Sequence, residues 1–182
     1  MTAQDELVQL EAGASLESAL EFFDSLPPAR VAELTGTWRG NGIDTGNPFD
    51  GLLERFGWYG KRFDGPDDAH PLLFTGSGGR VVSVNPAFVP MGLVLNIADK
   101  LNNPVVGKLF TRLVPLLTTR EPRARLRMVE YRGVSSAAMI YDSLPIYDPF
   151  RKVDENTLLG AMDLRGLRAP FMFVLRRDSA AG

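Results

Sequence analysis

The chain has 182 residues and a mass of 20.0 kDa, enough for one domain that buries about 70% of its unfolded surface. Hydrophobic residues make up 45% and charged ones 23%, which excludes disordered, collagen-like and low-complexity classes. The net charge is −2, cysteine is absent and His70 is the only histidine, so a global basic surface for nucleic acid, disulfides, thiolate chemistry and His-rich metal sites are all excluded.

The first residues are acidic where a secretory signal needs a basic start, and the longest nearly apolar stretch, 90–97, is far short of the roughly 20 residues that cross a bilayer. A cytoplasmic location is expected. Residues 1–35 read as helical: Leu16, Ala19, Leu20, Phe23 and Leu26 form one stripe behind a Ser15 N-cap, Pro27 and Pro28 stop that helix, and a short second one covers 31–34. Residues 36–42 switch to a Gly-rich strand, and 47–57 read as a short helix with an Asn cap and a terminating Gly. Strands follow at 58–63, 72–75 and 80–84, the last two joined at Gly76-Ser77-Gly78-Gly79. No helix and no Lys-Ser/Thr pair follows those glycines, so a hairpin is the reading rather than a phosphate loop.

Leu93, Val94, Ile97, Leu101, Val105, Leu109 and Leu113 recur at helical spacing, predicting a helical insert over 91–117 that breaks near Asn102-Asn103-Pro104. Strands resume at 123–131 and 134–141 around a turn at Arg132-Gly133, then at 157–163 and 170–176. Seven or eight short strands with close turns predict an antiparallel barrel or sandwich in one domain over 36–182, behind the N-terminal helices of 1–35.

Gly36-Thr37-Trp38-Arg39-Gly40 resembles the signature of the bacterial GXWXG-motif family, whose members carry a following domain of unknown function. The resemblance extends through 57–63, 70–74, 131–142, 148–151 and 154–163, and it implies a family without a settled activity. More distantly, a Gly-x-Trp opening with an Arg on the last strand resembles lipocalin-type barrels. That resemblance implies that Gly36, Trp38 and Gly40 open the barrel and that Arg176 or Arg177 lies across the Trp38 indole, closing it. The opening also resembles nitrobindin-type barrels that carry haem, but 170–177 contains no histidine to ligate iron, so no cofactor is expected.

Candidate site residues fall in four places. His70 follows Asp67-Asp68 at a loop edge, where a carboxylate would raise its proton affinity and suit it to acid or base work. On 58–63, strict alternation puts Trp58, Gly60 and Arg62 on one face and Tyr59, Lys61 and Phe63 on the other; Lys61 or Arg62 could meet a ligand's carboxylate or phosphate. Small residues on 134–141 leave room beside Met139 and Tyr141. Tyr141, Asp142, Tyr147, Asp148, Arg151 and Asp154 concentrate charge in a segment of loop and strand, as a loop-fixing network or an acid/base site. Residues 91–127 hold seven basic side chains against two acidic, and 1–36 hold seven acidic against one basic. These poles are expected to pair within a subunit or across a homodimer; the alternative is transient contact of the basic insert with an anionic membrane surface.

The expected architecture is therefore mainly β with α: an antiparallel lipocalin-like barrel with N-terminal helices and an insert capping one mouth. The expected function is binding of a small hydrophobic or amphipathic ligand, a fatty acid or related lipid, by Trp58, Tyr59, Lys61, Arg62, His70, Met139 and Tyr141. The alternative is a cofactor-independent isomerase or hydrolase using His70 or Asp142 as base and Tyr141 or Arg151 to stabilise charge.

Overall fold

The computed structural model describes residues 2–88, 112 and 114–179. The insert predicted at 91–117 lies outside the described residues except at its end, where Val114–Leu116 forms a single 3-10 turn.

Among the described residues, the protein is mainly antiparallel β sheet with few helices. Two N-terminal helices come first. In α1 (Ala3–Glu11), the Thr2 hydroxyl accepts from the Asp5 N–H while the Asp5 carboxylate accepts from the Thr2 N–H. In α2 (Leu16–Ser25), Ser15 caps as expected, and the helix ends before Pro27 and Pro28. The short helix expected next is a three-residue 3-10 turn, Val31–Glu33. A further correction falls at 47–57. Asn47 caps only a turn, and the helix α3 (Leu52–Arg55) is four residues long behind Gly51.

The strands are β1 (Gly36–Gly42), β2 (Trp58–Gly65), β3 (Asp68–Thr75), β4 (Val81–Ser83), β5 (Ala124–Tyr131), β6 (Val134–Tyr141), β7 (Ile146–Asp154), β8 (Thr157–Leu164) and β9 (Phe171–Arg177). β1 pairs with both β2 and β9, β2 with β3, and β3 with β5 through Ala69 and Ala124, while β5 to β9 pair in sequence order. The pairings thus form a ring of eight strands, with β4 on the free length of β3. The turn between β5 and β6 places Arg132 and Gly133 both at positive φ, 52° and 76°, as a twisted two-residue hairpin requires.

Alternation along the strands separates two apolar layers. One faces inward and contains Trp38, Trp58, Phe63, Leu126, Met139, Phe150 and Phe173. The other lies on the outer face of β8 and β9, where Leu159, Ala161, Met172 and Val174 are covered by Leu7, Leu10, Phe22 and Phe23 of the helices. Fully burying such side chains contributes about 1.5–3 kcal/mol each.

The ring's ends meet at Trp38 and Arg177, which are direct partners across β1 and β9. The Arg177 guanidinium lies 4.3 Å from the Trp38 ring centroid and donates to the Thr35 and Glu33 carbonyls; the Trp38 indole N–H also donates to Thr35. Arg176 points the other way and grips Glu11 of α1 at 2.7 Å, so Arg177 rather than Arg176 lies over the indole.

The alternation expected on 58–63 fails at Gly60. Register shifts against β3 flank this residue, whose φ is 147°, and they bring Trp58, Lys61 and Phe63 to the same inward face. A Cβ at Gly60 would collide with the Trp38 carbonyl oxygen, and one at Gly40 with the Trp58 indole. Gly60→Ala combines backbone strain with overpacking and is expected to destabilise the protein by about 2–5 kcal/mol, measured by denaturant unfolding. A loss below about 0.5 kcal/mol contradicts the bulge.

Candidate functional site

The inward turn of β2 carries Lys61 into the apolar interior, where it is 2% exposed. Its ammonium lies 2.8 Å from Asp148 Oδ2 of β7 and donates to the Tyr141 hydroxyl (3.3 Å) and the Pro71 carbonyl (3.2 Å). Three rings surround it, with centroids at 5.1 Å for Phe173, 5.5 Å for Tyr141 and 5.7 Å for Trp58. Burial pushes the Asp148 carboxyl above the ordinary carboxylate range, opposed by Lys61. Burial, with Asp148 adding to it, holds the Tyr141 phenol well above its usual value. Tyr141 is therefore neutral at physiological pH and available as a hydrogen-bonding group. Three buried polar atoms at this centre, both Asp148 carboxylate oxygens and Trp58 Nε1, have no geometric hydrogen-bond partner among the described residues; of these, Asp148 Oδ2 is held by its ion pair with Lys61. Met139 is fully buried in the same layer.

The other candidates lie elsewhere. Arg62 and Tyr59 face outward: Arg62 pairs with Asp64 at 2.7 Å, while Tyr59 donates to Asp178 and stacks with Arg39. Asp142 is exposed beside Arg125 at 2.8 Å. Arg151 is fully buried, but on the outer side under α2, 4.8 Å from the Phe23 ring and donating to the Tyr131 carbonyl. Tyr147 donates to Asp163, and Asp154 accepts from Gln4. The expected cluster of Tyr141 to Asp154 is thus divided, because consecutive strand residues point to opposite faces. Tyr141, Asp142, Arg151 and His70 do not converge on one another.

His70 lies within β3 rather than at a loop edge, because the strand begins at Asp68. It is 2% exposed, with Nδ1 3.1 Å from Ser83 Oγ and Nε2 3.2 Å from Asp68 Oδ1 and 3.8 Å from Asp64 Oδ2. Burial lowers its proton affinity and Arg62 adds to that, while Asp68 and Asp64 pull the other way. Desolvation wins, which reverses the expected rise. Asp64, Asp68 and His70 bring three ligand atoms within 4.8 Å of one another, a geometry that could hold a cation, although Arg62 already occupies Asp64.

Among the described residues, the ion pairs of the two poles run to other partners. Glu11, Asp24 and Glu33 pair with Arg176, Arg132 and Lys152, whereas Arg123, Arg125 and Arg127 pair with Glu121, Asp142 and Asp67. On the outer sheet face, Val129, Ile140, Leu144, Tyr147 and Asp163 border a cleft of about 590 Å³ that no sequence signal marked. Among the described residues, no helix is long and apolar enough to cross a membrane.

Sheet and centre together define a β protein whose interior is organised around a buried ion pair. The family model for GXWXG protein matches residues 21–79, and that for the domain of unknown function DUF4334 matches residues 122–177. A crystal structure of a protein from Thermomonospora curvata is 32% identical, with a TM-score of 0.73 over 98% of this chain and 99% of that one. The chain belongs to the GXWXG family with its companion DUF4334 domain. No curated protein matches it.

Two measurements check this geometry. Lys61→Met alone strands a buried carboxylate and is expected to destabilise by about 3–5 kcal/mol, whereas Lys61→Met combined with Asp148→Leu recovers most of that loss. Equal losses in the single and double variants contradict the pair. His70 has a folded-state pKa below its unfolded value of about 6.5, so its contribution is present above that pH and is lost as pH falls through the folded value. The melting temperature should therefore fall from pH 7 to pH 5, and His70→Gln should flatten that slope; an unchanged slope contradicts a buried neutral imidazole.

Proposed function

We propose that the eight-strand ring is a lipocalin-like barrel whose interior binds a small hydrophobic or amphipathic molecule, of the fatty acid or related lipid kind. The observation that carries this reading is the polar centre of Lys61, Asp148 and Tyr141 enclosed by Trp58 and Phe173. A buried ion pair is a poor device for stability alone, since its desolvation can exceed its Coulombic gain and apolar residues of similar volume often serve as well. Placed among aromatic rings, the same groups orient the polar end of an apolar ligand. An eight-stranded barrel is wide enough to be filled by side chains or to hold one small molecule. Short side chains at Ala124 and Ala137 on the inward face favour the second outcome.

The enzyme reading receives less support, because His70, Asp142 and Arg151 stand apart from the Tyr141 hydroxyl and from one another. Incubating the protein with a cell lipid extract and recording native mass spectra tests the binding reading. The expected result is a protein ion carrying one added small-molecule mass, released on denaturation. Only unliganded protein across several extracts contradicts it.

A further inference from the structure

The polar centre distinguishes between kinds of ligand head group. Among the described residues, the Lys61 ammonium has three polar partners, Asp148, Tyr141 and Pro71, and Asp148 neutralises its charge within the protein. Among the described residues, Asp148 Oδ2 has the Lys61 ammonium as its partner, whereas Asp148 Oδ1 and Trp58 Nε1 have neither a hydrogen bond nor an ion pair. The Asp148 side chain is fully buried, and both atoms belong to groups flanking the same ammonium, at 2.8 Å for Asp148 and 5.7 Å for the Trp58 ring. Buried polar groups in native interiors are nearly always paired, so an acceptor and a donor left over at one centre specify what completes it.

A carboxylate would shed its hydration to enter a centre of zero net charge, next to an existing carboxylate and with no unshared cation. A hydroxyl sheds less hydration, and it carries both a hydrogen to donate and lone pairs to accept. We propose that the polar end of the interior ligand is uncharged and hydroxyl-like, donating to Asp148 Oδ1 and accepting from Trp58 Nε1. Within the class of apolar ligands this selects an alcohol over a fatty acid. The inference rests on the reading that the interior binds such a molecule, and its test separates the two.

Octan-1-ol and octanoate have equal chain lengths and differ at the head. Titrating the wild-type protein with each at pH 8, followed by tryptophan fluorescence and calorimetry, should give about tenfold tighter binding of octan-1-ol. Octanoate binding as tightly or more tightly overturns the head-group assignment while leaving interior binding intact; binding of neither overturns both. In Asp148→Asn, checked for folding by circular dichroism, Lys61 loses its counter-charge and the preference should move towards octanoate by about tenfold. An unchanged preference in the folded variant overturns the assignment, and the wild-type comparison stands without any variant.

Discussion

Lys61 is a charged side chain held in an apolar, aromatic interior, and the arrangement around it follows from meeting its needs. Asp148 supplies the counter-charge, Tyr141 and Pro71 accept its remaining hydrogens, and three rings turn faces or edges towards it. Reaching that position depends on Gly60: the bulge there lets β2 present Trp58 and Lys61 on one side. The motif Gly36-Thr37-Trp38-Arg39-Gly40 serves the same packing, since Gly40 makes room for the Trp58 indole and the Trp38 backbone lies against Gly60.

Ring closure and helix docking use the opposite faces of one strand. On β9, Arg177 covers Trp38 where the ends of the ring meet, while Arg176 reaches out to Glu11 of α1. Phe171, Phe173 and Leu175 fill the interior as Met172 and Val174 receive the helices. Both faces of the last strand are therefore buried, which explains its nearly continuous apolar sequence. Surface ion pairs such as Arg132 with Asp24 and Lys152 with Glu33 fasten the N-terminal segment at its margins, each contributing up to about 1 kcal/mol.

What could be read from the sequence follows the range of the physics involved. Ser15, Pro27-Pro28 and Arg132-Gly133 act through their own backbone, so the α2 limits and the β5–β6 turn were legible. Strand β6 was legible to its last residue because turns bound it. Strand β7 was not, since Asp148 and Pro149 break the apolar pattern and Arg151 occupies an outer position that only the docked α2 makes buried. Lys61 was singled out, but its partner Asp148 appeared only within a charge cluster, because a one-residue shift at Gly60 decides which side chains share a face. His70 was misread for a related reason: burial, a tertiary property, outweighs the neighbouring carboxylates.

We propose above all that the interior around Lys61 receives the polar end of an apolar molecule. A high-resolution crystal structure of the protein grown with octan-1-ol addresses it directly. The account predicts density for the alcohol inside the strand ring, with its oxygen within hydrogen-bonding distance of Asp148 Oδ1. Density confined to the outer cleft beside Tyr147, or an interior closed by side chains around an undisturbed ion pair, would contradict it.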